Sequence, residues 1–183
     1  MRSEIGVCHA GDPAAVFGHM YIHRHAGLDQ MEKKRTEIAA MYFVNHDQIE
    51  QRLRFLQVIA EACEQVLGQW GKGEASLQLQ FSQERVLHLA IESVTDVGSL
   101  LIDAFILRDA SSYEDIVDIL SGEGAFSEDL AAFLLELVKL RKALTQDFVQ
   151  WDRGALHPLL NRLPKALTEF AVNVRVFMEK ELA

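Results

Sequence analysis

The chain has 183 residues, 49% hydrophobic and 25% charged, the make-up of a single soluble globular domain. Its formal net charge of −9 argues against general nucleic-acid binding, and no apolar run is long enough to span a bilayer. Cys8 and Cys63 cannot build a disulfide framework and Met1–Gly11 lacks the apolar core of a secretion signal, so a cytoplasmic protein is expected.

Residues 1–40 show no sustained helical or strand period. They hold His9, His19, His23 and His25 beside Cys8, but no spacing there matches a closed zinc site, so no metal is expected. This stretch reads as a poorly ordered extension, or as a start placed too early before Met31 or Met41, with a short helix around residues 29–40 leading into the domain.

The domain proper is expected over residues 41–183. Asn45 is a good N-cap with Gln48 three residues on, and Val44 and Ile49 occupy the staple positions. The series Ile49, Leu53, Leu56, Ala60, Cys63, Leu67 then steps by four and three, one stripe of a first helix that ends near Gly68. A second helix runs from Leu77 or Ser82 to Leu107, with the stripe Leu87, Ile91, Val94, Gly98, Leu101, Phe105. A short third starts at Ser112 and ends before Gly122. The fourth has Ser127 as N-cap and runs to about Phe148. The fifth begins near Ala155 and carries Leu156, Leu160, Leu163, Leu167, Phe170, Val174 and Phe177, with Pro164 expected to kink or split it. Four long helices and one short one, joined by brief loops, predict an all-α antiparallel up-and-down bundle.

Charge is spread unevenly over these elements. Residues 41–138 carry 5 Lys/Arg against 17 Asp/Glu, whereas residues 139–183 carry 8 against 5. A basic end on an acidic body suits an anionic ligand or a second acidic copy of the chain, and also plain surface scatter.

One residue breaks the seam of the fourth helix. After Leu130, Leu134 and Leu137, the next seam position is Arg141, before Leu144 and Phe148. A guanidinium there needs a partner or an opening to solvent. Pairing with Glu92 or Asp96 would make it structural; opening to a cleft would make it an anion site. The second helix also carries a polar stripe, Glu84, His88, Glu92, Thr95 or Asp96, Ser99 and Asp103, which reads as the wet face of an amphipathic helix rather than a metal frame.

Four segments in order then carry a family resemblance: Met41–Val44 (MYFV), Glu84–Asp96 (ERVLHLAIESVTD), Ser112–Leu120 (SYEDIVDIL) and Leu140–Phe148 (LRKALTQDF). Over 41–183 the chain resembles the HepT-like HEPN proteins, nearest the YutE-like subgroup of these toxin–antitoxin ribonucleases. The resemblance implies a HEPN-like bundle, a homodimer with one motif facing another across the interface, metal-independent RNA cleavage without a cofactor, and pairing with a minimal nucleotidyltransferase antitoxin that attaches AMP to a tyrosine. The family motif is Arg, usually followed by Asn, then His five residues after the Arg and Tyr two further on. Arg141 matches the arginine, Lys142 replaces the asparagine, Gln146 stands at the histidine and Phe148 at the tyrosine.

Glutamine cannot ionise, and losing such a proton-transfer group slows a reaction by about 10²–10⁴-fold. Phenylalanine has no hydroxyl to modify. The resemblance therefore implies an RNA or phosphate site at Arg141 and Lys142 that is weak or catalytically silent. An active endoribonuclease toxin using another base, with His88 or His157 as the nearest histidines by sequence, and a purely structural interaction module are the alternatives.

Overall fold

The computed structural model describes residues 46–73 and 76–181. The expectations for residues 1–40, the Met41–Val44 segment, the Asn45 cap and the Val44 staple lie outside the described residues.

Helix α1 covers 46–70 and buries Ile49, Leu53, Leu56, Ile59, Cys63 and Val66. Its carboxyl end is closed by Gly71 N–H donating to Leu67 O at 2.9 Å, and by Gly73 at φ 81°, a left-handed conformation that glycine adopts without strain. Helix α2, Leu77–Ala104, starts at Ser76, whose hydroxyl accepts from Leu79 N–H at 3.3 Å. Leu87, Ile91, Val94 and Leu101 are buried as the stripe demands. Gly98 has a packing reason: a Cβ there would meet Ile116 Cγ2 at 2.3 Å, so the absence of a side chain sets how closely α2 and α3 approach.

Helix α3, Tyr113–Gly122, is capped by Ser112 and clamped at its start by Asp115, which takes two hydrogen bonds from Arg108 at 2.9 and 2.5 Å and one from Ser111 N–H at 2.8 Å. Helix α4, Glu128–Lys139, is capped by Ser127 and buries Leu130, Leu134 and Leu137. It is shorter than the seam predicts. At Leu140 the N–H bonds back only three residues, to Leu137 O at 3.1 Å, and the chain restarts as α5, Arg141–Thr145. The Thr145 hydroxyl donates to Arg141 O at 2.7 Å, a local bond of the kind that competes with continuation of the helix.

Two short 3₁₀ turns, Phe148–Gln150 and Pro158–Asn161, lead to α6, Leu163–Glu181. Pro164 does not kink a continuous helix. It sits in the first turn of α6, where its missing N–H has no intrahelical partner to lose, and the segment before it folds as the separate 3₁₀ turn. The buried faces of all six helices join in one core, into which Phe170 and Leu160 project fully. Glu50 of α1 and Arg175 of α6 close one side with a bond of 2.8 Å.

Candidate functional site

The restart at Leu140 delivers Arg141 to the junction of three helices. Its Nε donates to Glu92 Oε1 of α2 at 2.9 Å, and its guanidinium carbon lies 3.9 Å from the ring centre of Tyr113, the first residue of α3. The side chain remains 29% exposed, and neither terminal Nη has a hydrogen-bond partner among the described residues. The seam anomaly is thereby explained in part by pairing: Glu92 compensates the charge, while the outer edge of the guanidinium keeps its donors.

Glu92 Oε1 is shared. His88 Nε2, one turn back on α2, lies 3.6 Å from the same oxygen. On the other side of the ring, Nδ1 is 3.0 Å from Arg85 Nη1. Arginine only donates, so Nδ1 accepts there and the ring hydrogen lies on Nε2, facing Glu92. Arg85, His88, Glu92 and Arg141 thus form one polar chain along the surface, and Tyr113 covers its last member.

The polar stripe of α2 is more than a wet face. Glu84 takes a two-pronged contact from Arg153 at 2.6 and 3.2 Å, Glu92 holds Arg141, and Asp96 accepts from Arg52 Nε of α1 at 3.1 Å. Asp96 is therefore engaged, which leaves Glu92 to Arg141. No three His, Cys, Asp or Glu side chains among the described residues converge in a metal-holding arrangement.

The remaining motif positions face outward. Lys142 is exposed with Nζ 3.8 Å from Asp147 Oδ2. Gln146 closes α5, its N–H donating to Lys142 O at 2.9 Å and its side chain exposed. Phe148 is 49% exposed, and its carbonyl accepts from Arg153 Nη2 at 2.6 Å. Arg153 thereby ties the end of the motif to Glu84 on α2. His157 is engaged elsewhere: it stacks on Trp151 at 5.5 Å and accepts from Leu159 N–H, and burial pushes its pKa down.

Sequence reasoning missed two supports of this region. Gln83 is fully buried; its Oε1 accepts from His157 N–H at 3.1 Å and its Nε2 donates to Ala155 O at 3.0 Å, pinning the loop after the motif. Its place four residues before Leu87 on the apolar stripe is the signal that finds it. Tyr113 has no such signal, because nothing in its own helix period reports that Arg141 arrives above it.

A groove of about 530 Å³ borders the cluster, lined by Glu92, Asp96, Asp103, Asp109 and Tyr113 among others. Its carboxylates disfavour a polyanion along its floor. No helix among the described residues is long and apolar enough to cross a membrane.

Comparison with known proteins places this geometry. A family model described as ribonuclease HepT-like matches residues 59–174. The chain is similar to YutE of Bacillus subtilis (strain 168), a protein whose name carries a provisional RNase assignment, with 38% identity over 143 residues that cover 78% of this chain and 95% of the relative. The solved structure of Bacillus subtilis YutE, described as a cytosolic protein of unknown function, superposes with a TM-score of 0.66 at 32% identity, covering 75% of this chain and 92% of that one. A toxin–antitoxin structure with AMP-PNP superposes with a TM-score of 0.60 at 18% identity, covering 71% of this chain and 98% of that one. A tri-AMPylated HEPN toxin of Shewanella oneidensis, in complex with its MNT antitoxin, gives 0.60 at 17% identity, covering 70% of this chain and 96% of that one. These last two share the fold.

Proposed function

This chain belongs to the ribonuclease HepT-like family, and from that premise we propose that it is an RNA-binding HEPN protein in which Arg141 grips a backbone phosphate and cleavage is weak. Two copies of the chain face each other across the site, in keeping with the basic end and acidic body of the sequence. The observation that carries the reading is the guanidinium of Arg141: its Nε is taken by Glu92 and one face by Tyr113, while its outer edge keeps free donors in partial contact with solvent. That edge is the fork geometry that matches phosphate oxygens. Because the neighbouring groove is acidic, the strand approaches from the α5 side, where Lys142 stands.

Gln146 is exposed at the end of α5 and can donate or accept a hydrogen bond, but it cannot shuttle a proton at neutral pH. Phe148 offers no hydroxyl, so an antitoxin of the nucleotidyltransferase type would act here by docking, without modifying position 148.

The competing structural reading is favoured by the 2.9 Å Arg141–Glu92 contact, which ties α5 to α2. Fluorescence anisotropy of a short labelled single-stranded RNA separates the two. Arg141→Ala is expected to weaken RNA binding about tenfold and to flatten the dependence of log K on log salt by about 0.7 for the lost phosphate contact. Equal affinity and salt slope in wild type and variant would leave Arg141 a structural residue only. Light scattering at micromolar protein should find a dimer; a monomer removes the facing-copies part of the proposal.

A further inference from the structure

Resting on the RNA reading above, we infer that His88 takes the proton of the attacking ribose hydroxyl, supplying the ionisable group that position 146 lacks. Three features of the cluster support this. First, His88 Nε2 and Arg141 Nε approach the same Glu92 oxygen, at 3.6 and 2.9 Å, which sets the imidazole beside the guanidinium that would hold the phosphate. Second, the neighbours of the ring favour a usable tautomer. Glu92 faces the Nε2 hydrogen and stands ready to stabilise the imidazolium, so Nδ1 carries the lone pair. Third, the group now donating to Nδ1 is the exposed guanidinium of Arg85, which can turn to a second phosphate oxygen when RNA arrives. His157 offers none of this, being stacked on Trp151.

The step balances without a further reagent beyond water. Nδ1 of His88 takes the proton of the 2′-hydroxyl, whose oxygen forms a bond to phosphorus. The bond from phosphorus to the 5′-oxygen breaks, and that oxygen takes a proton from water. The products are a 2′,3′-cyclic phosphate and a free 5′-hydroxyl, with Arg141 bound to the phosphoryl oxygens throughout. His88 returns its proton to solvent.

The test uses the full chain with a short labelled single-stranded RNA and its 2′-deoxy counterpart. Wild type is expected to cleave only the ribose form. His88→Gln should cleave at least about 100-fold more slowly, while binding RNA with an affinity within about threefold of wild type. Added imidazole should restore part of the rate to His88→Ala, which a merely structural role for His88 would not allow. RNA affinity indifferent to Arg141→Ala overturns the reading beneath this inference. Binding that depends on Arg141, combined with wild-type cleavage in His88→Gln or with no cleavage by wild type, overturns the inference alone.

Discussion

Arg141 Nε and Glu92 Oε1 lie 2.9 Å apart, so the one guanidinium in the apolar seam of α4 and α5 is half-neutralised by a carboxylate on α2. That pairing sets the affinity of Arg141 for any external anion. Glu92→Gln keeps an oxygen able to accept from Nε and removes the negative charge. RNA binding should therefore tighten by a few-fold, and stability should drop by at most about 1 kcal/mol, the size of a partly exposed ion pair. Anisotropy and urea unfolding read both quantities. Unchanged or weaker RNA binding would mean that Arg141 is not presented to the ligand.

Gln83 is expected to matter far from its own helix. Replacing it by leucine leaves Ala155 O and His157 N–H without the partner that now meets them inside the fold. A loss of about 2–3 kcal/mol follows from the unmet backbone groups, read by chemical unfolding. Hydrogen exchange should quicken most in residues 151–157. A loss below about 0.5 kcal/mol would show that water replaces the side chain without penalty.

The apolar periods made the bundle legible: Ile49 to Cys63, Leu87 to Leu101 and Leu163 to Phe177 lie on the buried faces that their spacing predicts. The caps at Ser112 and Ser127 were equally readable. The break at Leu140 was not. It rests on a single i to i−3 hydrogen bond and on the Thr145 hydroxyl, and both are compatible with an unbroken seam of leucines. Arg141 announced itself by its charge, and the sequence narrowed its partner to Glu92 or Asp96. The choice between them was made by Arg52 of α1, which occupies Asp96, a tertiary fact that no single helix carries. For the same reason His88 looked like one more polar residue until the Glu92 oxygen was seen to be shared.

Just past the end of α2, Ile106 has φ 53°, a left-handed conformation that a β-branched residue adopts under strain, and its side chain is 88% exposed. Leu107 N–H donates to Ile102 O at 3.0 Å across this turn, the closing bond of a helix end that glycine serves best. Ile106→Gly should stabilise the domain by about 1 kcal/mol, the relieved strain exceeding the added freedom of the unfolded chain. A differential scan that finds the melting temperature lowered would place unrecorded packing on the Ile106 side chain.

Acid should unfold this domain in two stages. Burial lowers the pKa of His157 from its ordinary 6.5, so the unfolded chain binds a proton that the folded chain refuses. Its contribution is complete above the ordinary 6.5 and is lost as pH falls below that value toward the lowered folded one. Glu50 and Asp115 are held below their ordinary 4.5 and 3.8, Glu50 chiefly by its hydrogen bond to Arg175 and Asp115 chiefly by its hydrogen bond to Arg108, so their contribution persists to lower pH and then falls away. The urea midpoint should therefore step down once below about pH 6.5 and again below about pH 4. His157→Asn retains a side-chain acceptor for Leu159 N–H and cannot titrate, so it should erase the first step and leave the second. Persistence of the first step in that variant would assign it to another histidine. With His88→Gln as the paired control, the experiment also tells whether the imidazole beside Arg141 contributes to folding or is held in place for the ligand.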